Sequence, residues 1–447
     1  MTIAVDPGDL RRGFSAAPMS RAQIAAVAVT VALSALDGYD VLSVTFAAPA
    51  IARDWGVGKA ALGGLLSAGL AGMALGSLVL APFADIVGRR TLVLASLMLM
   101  AAGMLLSAFA VSLSQLVAWR VLTGLGIGAM VAVINPLAAE FANTRRRALA
   151  LALMAMGYPL GGLVGGLASA LLLRFYGWPA VFLAGVAAAV LLIPVVLLFL
   201  PEPLAFLLAR RRGDSLARVN ALLVRCGRDR VTILPPETIK ADAGYAAVFA
   251  PRQVGTTIRV TLANFLFVMA VYYVLSWLPQ MVAEAGFPPS TASLVAAAAN
   301  LAGIAGGVML GWLARRAGLN RLTVATMIGL GLATTVFGLT PASLPLLVLA
   351  AGICGFFLFG GIAGLYATFA VSFAAEARAS GSGFVIGIGR IGSAAAPLLA
   401  GWLFASGLGQ GAVSAAFGAC AVFAGLILLL HEWTLDGHVA NAEPAAT

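Results

Sequence analysis

The sequence predicts an all-α polytopic membrane protein with twelve transmembrane helices in two pseudo-symmetric bundles of six. Three observations carry that prediction. First, 62% of the 447 residues are apolar and only 10% are charged, where soluble globular chains run at roughly 45–50% and about 25%. Second, the apolar residues arrive in blocks of helix length, and a spanning helix needs about 20 of them. Third, Arg and Lys collect in the gaps between the blocks, the distribution that orients membrane proteins. Glycine (52) and proline (20) are plentiful but not periodic, which excludes collagen and linker readings.

The blocks follow in order. Residues 22–50 form the first, interrupted by Asp37 and Asp40. Arg11, Arg12 and Phe14 precede it, yet no cleavage site is evident, so it is expected to be a retained helix and not a removable signal. The second block, 59–83, ends at Asp85 with Gly88, Arg89 and Arg90, and 91–111 follows. The fourth, 115–138, contains Arg120 and ends at Glu140 with Arg145, Arg146 and Arg147. Blocks 148–173 and 179–200 complete the first six. The single long polar stretch, 201–257, divides the chain six and six. The second six are 258–281, 291–314, 321–340, 344–371, 381–405 and 411–431. Glu376 and Arg378 close the fourth of these, and Arg390 lies inside the fifth. The expected domains are therefore a bundle over 1–200, a cytoplasmic loop over 201–257 and a bundle over 258–447 with a short tail.

Charge fixes the orientation. With both termini and the central loop in the cytoplasm, that side holds 22 of the 27 Lys and Arg residues. The outer side holds Arg53, Lys59 and Arg174, while Arg120 and Arg390 lie within helices. The positive-inside rule thus predicts cytoplasmic termini in a bacterial-type inner membrane. The net charge of +10 has the same origin, and without interleaved aromatics it does not point to nucleic acid. Cys226, Cys354 and Cys420 have no metal or disulfide spacing, and the two histidines, His431 and His438, leave metal catalysis almost without ligands. No GxxxxGK[ST] occurs, so an ion gradient is the expected energy source, with no cofactor and the proton as coupling ion.

The halves echo each other. Ala81-Pro82-Phe83-Ala84-Asp85-Ile86-Val87-Gly88 is matched in the second half by Gly311 to Gly318. Gly124, Gly128 and Glu140 recur with the same mutual spacing as Gly360, Gly364 and Glu376. Repeated halves place a substrate site at their interface near mid-membrane.

Charges inside the span are the candidate functional groups. One at the bilayer centre costs roughly 2.5–3.5 kcal/mol on insertion scales. Asp37 and Asp40 are three apart and share a helix face. Two close carboxylates repel, which makes them candidates for proton coupling; the structural alternative is a pair that holds an arginine of the fourth helix. Arg120 could fork onto a substrate carboxylate, pair with Asp37 or Asp40, or snorkel to the outer surface. Arg390 sits about ten residues into its helix, too deep for easy snorkelling. Tyr39, Tyr158, Tyr272, Tyr273, Trp277 and Tyr366 could stack on a flat ring, or belong to packing and the interfacial belt. Asn264, Asn300 and Gln280 are further lining candidates. Asp85, Arg89, Arg90, Glu140, Arg145, Glu376 and Arg378 could form bridges that lock the cytoplasmic face.

These residues resemble the major facilitator superfamily and, within it, the aromatic acid:proton symporters. The resemblance covers nearly the whole chain. Asp37-Gly38-Tyr39-Asp40 is similar to that family's D-G-[YF]-D. The loop ending Asp85-Ile86-Val87-Gly88-Arg89-Arg90 is similar to the superfamily's loop motif. The run from Asn135 through Glu140-Phe141 and the triple arginine to Gly157-Tyr158-Pro159-Leu160-Gly161 adds to the likeness. So do Tyr273 to Pro279 and Gly389-Arg390-Ile391-Gly392-Ser393. The resemblance implies proton-coupled import of benzoate- or hydroxybenzoate-like carboxylates. The chain is expected to work by alternating access as a monomer, and without a visible nucleophile–base arrangement it is not expected to be an enzyme. It also implies roles for Asp37, Asp40, Asp85, Arg120, Glu140 and Arg390. Ala81, Ile86 and Arg315 depart from the loop motif, which puts cytoplasmic closure in a different balance. A carrier of non-aromatic acids, an exporter, and a membrane sensor are the alternative readings.

Overall fold

A computed structural model of the chain describes residues 15–209, 214–234, 248–251, 253–373 and 377–440. Hydrocarbon offers backbone groups no partners, so spanning segments must satisfy their own hydrogen bonds as helices. Among the described residues, twelve helices are long and apolar enough to cross a membrane. They are α1 (Arg21–Trp55), α2 (Lys59–Val79), α3 (Arg89–Ala108), α4 (Leu113–Phe141), α5 (Arg147–Phe175), α6 (Trp178–Phe199), α7 (Val254–Glu284), α8 (Pro289–Ala317), α9 (Leu319–Leu339), α10 (Leu344–Ser372), α11 (Arg378–Ala405) and α12 (Gln410–Ala440). No strand occurs among the described residues. Several helices outrun the apolar block that predicted them, because polar turns such as Arg53–Trp55 continue the helix beyond the hydrocarbon. Two short helices, Leu204–Ala209 and Ser215–Arg225, lie in the central loop.

The ends are capped by local chemistry. Ser20 and Gln23 bond reciprocally at the start of α1: the Gln23 N–H donates to Ser20 Oγ (3.2 Å) and the Ser20 N–H to Gln23 Oε1 (3.0 Å). Glu202, just past α6, accepts from the N–H groups of Arg89 (3.1 Å) and Thr91 (3.4 Å) and so caps α3. Burial raises the Glu202 carboxyl above its ordinary value, against the lowering effect of those bonds. In return, Arg90 donates to Leu197 O (2.6 Å) and Arg225 to Leu198 O, satisfying carbonyls at the end of α6.

The repeat is written in the backbone. Gly56, Gly88 and Gly177 have φ of +63°, +109° and +79°, and their counterparts at one constant offset, Gly286, Gly318 and Gly407, have +96°, +84° and +93°. These six glycines break the chain between α1 and α2, α2 and α3, and α5 and α6, and again between α7 and α8, α8 and α9, and α11 and α12. The internal echo seen in the sequence is thus a shared set of turns that other residues adopt poorly.

The chain divides into two compact units that cut across the helices. The first comprises Met1–Asp40, Gly72–Gly161 and Phe182–Ala241; the second comprises Val41–Ala71, Gly162–Val181 and Asp242–Thr447. In the first, glycines bring backbones together. A Cβ on Gly38 would collide with the Tyr158 carbonyl, and one on Gly161 with that of Ala35, so α1 and α5 lie in direct contact. Gly72, Gly76 and Gly128 do the same for α2 and α4. In the second unit, Gly306 and Gly355 join α8 to α10, and Gly331 and Gly418 join α9 to α12. Large apolar side chains such as Leu171, Leu191 and Leu332 are exposed, as lipid-facing positions require.

Gly88→Ala forces an L-residue into a region that costs roughly 1–3 kcal/mol and drives its Cβ into Glu202. Gly318→Ala meets the same backbone strain with open space around it. Thermal melts in detergent should therefore show both variants destabilised, Gly88→Ala more than Gly318→Ala.

Candidate functional site

The first unit holds the acids. Arg120 of α4 donates through Nη1 to Asp40 Oδ1 (3.1 Å) and through Nη2 to the Asp40 carbonyl (2.8 Å). Asp40 is fully buried and Arg120 is 1% exposed. The guanidinium also lies over the Phe182 ring, 5.6 Å from its centroid. Arg120 therefore does not snorkel: its fork is held between carboxylate and carbonyl inside the bundle. Asp37 is buried one turn earlier on α1. Gly38 sets both acids, because the close approach to Tyr158 fixes α1 against α5. Tyr39 turns away from Asp40, towards Gly185 and Met104 on α6 and α3.

In the same unit, at the ends of α3 and α4, Arg89 pairs with Glu140. Asp85, Arg145, Arg146 and Arg147 are exposed. Of the second cluster, Arg378 is exposed and Glu376 lies outside the described residues.

The second unit holds a cavity of a different character. Arg390 and Ser393 of α11, Asn264 and Tyr272 of α7 and Tyr366 of α10 line it together with Val268, Ile386 and Gly389. Asn264 Nδ2 donates to Val385 O (2.8 Å), tying α7 to α11, and Gly389 leaves room for that amide. One guanidinium, two phenols, an amide and a hydroxyl on apolar walls suit a small anion that carries a ring. Tyr273 and Trp277 are not among the lining residues. The Tyr273 hydroxyl meets Ser414 Oγ (2.7 Å) and its ring stacks on Phe417 at 4.4 Å, while Trp277 Nε1 donates to Pro397 O (3.2 Å). Both rings pack α7 against its neighbours.

The same unit contains a cluster that sequence reasoning missed. Lys59 donates to Glu284 Oε2 (3.0 Å), Gln410 to the same oxygen (3.1 Å) and Gln280 to Oε1 (3.2 Å). Lys59 also sits over Phe404, and Gly63 and Gly401 cross in backbone contact one turn below. Lys59 was legible only as a charge on the outer side. Glu284 carried no signal, since Lys59 and Gln410 are 225 and 126 residues away.

The profile of the Major Facilitator Superfamily matches residues 29–374 and again 260–446. The chain belongs to the Major Facilitator Superfamily. Its place there is among the aromatic acid transporters. It is 30% identical to a gallate transporter of Pseudomonas putida over 99% of this chain and 98% of that protein. It is 31% identical to the 4-hydroxybenzoate transporter PcaK of Acinetobacter baylyi, over 84% of each chain. The benzoate transport protein of Acinetobacter baylyi is 26% identical over 82% of this chain and 80% of that protein. A solved D-xylose–proton symporter shares the fold, with a TM-score of 0.71 at 16% identity over 91% of this chain and 97% of that one. This facilitator is a multi-pass membrane transporter and not an enzyme.

Removing one partner of a buried ion pair costs about 3–5 kcal/mol, whereas removing both costs far less. Arg120→Leu should therefore melt well below the parent transporter, and Asp40→Asn combined with Arg120→Gln should recover most of the loss. Differential scanning measurements on purified protein check this.

Proposed function

We propose that this facilitator imports an aromatic carboxylate together with protons by alternating access. The observation that carries the reading is the cavity in which Arg390 stands beside Tyr272 and Tyr366 on apolar walls. Arg390 receives the carboxylate through its planar fork, and the two tyrosine rings face the substrate ring. The names of the relatives support the same substrate class, since they are transporters of gallate, 4-hydroxybenzoate and benzoate.

Proton coupling rests on Asp37 and Asp40. Arg120 is committed to Asp40, so the carboxylate role goes to Arg390. Protonating Asp40 removes the charge that holds Arg120, which gives the first unit two electrostatic states. Asp37, one turn away, is the second acid through which a proton enters or leaves. Closure at the outer ends involves Lys59, Glu284 and the Gly63–Gly401 crossing. Closure at the cytoplasmic side involves Arg89 and Glu140. The two sets break in turn as the carrier alternates. The distribution of Lys and Arg supports cytoplasmic termini in an inner membrane. A monomer suffices for this cycle, with no cofactor beyond the proton.

Uptake of labelled 4-hydroxybenzoate by expressing cells tests the proposal. Accumulation should be faster at pH 6 than at pH 8 and collapse with a protonophore. Asp37→Asn and Asp40→Asn should abolish accumulation while still reaching the membrane. Arg390→Ala should lower uptake roughly 100-fold, as expected for losing one partner of a desolvated charge pair, and Arg390→Lys should restore only part of it. Accumulation by both aspartate variants at the parent level would overturn the coupling assignment.

A further inference from the structure

A second cavity in the second unit shares no lining residue with the anion site. It is lined by Leu42 and Phe46 of α1, Leu275 and Leu278 of α7, Phe359 of α10 and Asn300 of α8, among others. Every group there is apolar except the side chain of Asn300, which is 3% exposed. Asn300 Nδ2 donates to Ala296 O (2.9 Å) one turn earlier. Only the amide nitrogen can donate to a carbonyl, so the orientation of the amide is settled and Oδ1 is the remaining acceptor. No donor among the described residues reaches that oxygen. Gly162 of α5 lies against it: a Cβ there would collide with Asn300 Oδ1 and come within 2.7 Å of the Leu42 side chain.

A buried carbonyl oxygen without a donor is costly, and more so in a bilayer. The cavity beside it has room for about one water-sized group, which is the size of a hydroxyl. Both cavities lie along α7, where Tyr272 lines one and Leu275 the other, a rise of about 4.5 Å. Their centres are roughly 12 Å apart along the helix axis, counted from the lining residues of α7 and α10 at ~1.5 Å per residue.

We propose that Asn300 Oδ1 accepts a hydrogen bond from a ring hydroxyl of the substrate and so selects hydroxylated aromatic acids over unsubstituted ones. This rests on the aromatic carboxylate reading given above. The selectivity is one-sided: a site built around a lone acceptor penalises the analogue that brings no donor. Gly162 is the space that lets the amide stand there.

The test is initial-rate uptake of labelled benzoate, 3-hydroxybenzoate, 4-hydroxybenzoate and 3,4,5-trihydroxybenzoate by the full chain, parent and Asn300→Leu, with membrane levels measured. The parent should prefer at least one hydroxylated acid to benzoate. Asn300→Leu should reduce that preference about tenfold, by raising benzoate uptake and lowering that of the hydroxylated acid, because the unpaired acceptor is gone. Gly162→Ala, which displaces the amide without removing it, should shift the ratio in the same direction and serves if Asn300→Leu fails to reach the membrane. An unchanged ratio in whichever variant reaches the membrane overturns the assignment and leaves a structural water as the occupant. A parent with no preference for any hydroxylated acid overturns it as well. A parent that carries no acid of the panel overturns the aromatic reading itself, and the assignment with it.

Discussion

The hydrocarbon interior pairs neither backbone groups nor charges, and the rest of the structure follows from that. It makes every crossing a helix. It also removes the hydrophobic drive for helices to associate, so they meet through small residues instead. Gly38, Gly72, Gly76, Gly128 and Gly161 in the first unit, and Gly306, Gly331, Gly355 and Gly418 in the second, are where backbones touch. The same constraint gives each intramembrane charge a defined place. Arg120 reaches the carboxylate and carbonyl of Asp40. Arg390 lines a cavity with tyrosines, an amide and a hydroxyl.

The scaffold repeats and the chemistry does not. Three left-handed glycines recur at one constant offset, the one that carries Gly56 to Gly286, so both halves turn in the same places. At that offset Asp37 and Asp40 of α1 fall on Phe267 and Ala270 of α7, and Arg390 of α11 falls on Leu160 of α5. One half thus carries the acids and the other carries the arginine beside the tyrosines. The proposed coupling of a proton to an anion needs two unlike sites. A duplicated frame with unlike substitutions supplies them without a second architecture.

The sequence disclosed the fold well, because helix length, charge asymmetry and repeats are local or statistical signals. All twelve apolar blocks became helices. The site was legible in part. Asp37, Asp40, Arg120 and Arg390 stood out because charge is rare in a span, but spacing alone left Arg120 between substrate, aspartate and the surface. The structure gives it Asp40, a partner 80 residues away. The tyrosines divided for a similar reason. Tyr272 and Tyr273 are adjacent on a helix and so point about 100° apart; one lines the cavity and the other packs on Phe417. Glu202 and Glu284 gave no signal, since a single acid near a helix end reads as surface charge until its partners come into view.

The central claim is that proton and aromatic acid move together through this chain. The most direct measurement uses purified protein in liposomes loaded with a pH-sensitive dye at equal pH on both sides. With membrane potential clamped, addition of external 4-hydroxybenzoate should acidify the lumen at a rate that follows uptake of the labelled acid, and Arg390→Ala should abolish both together. Uptake of the acid without acidification of the lumen would contradict the account.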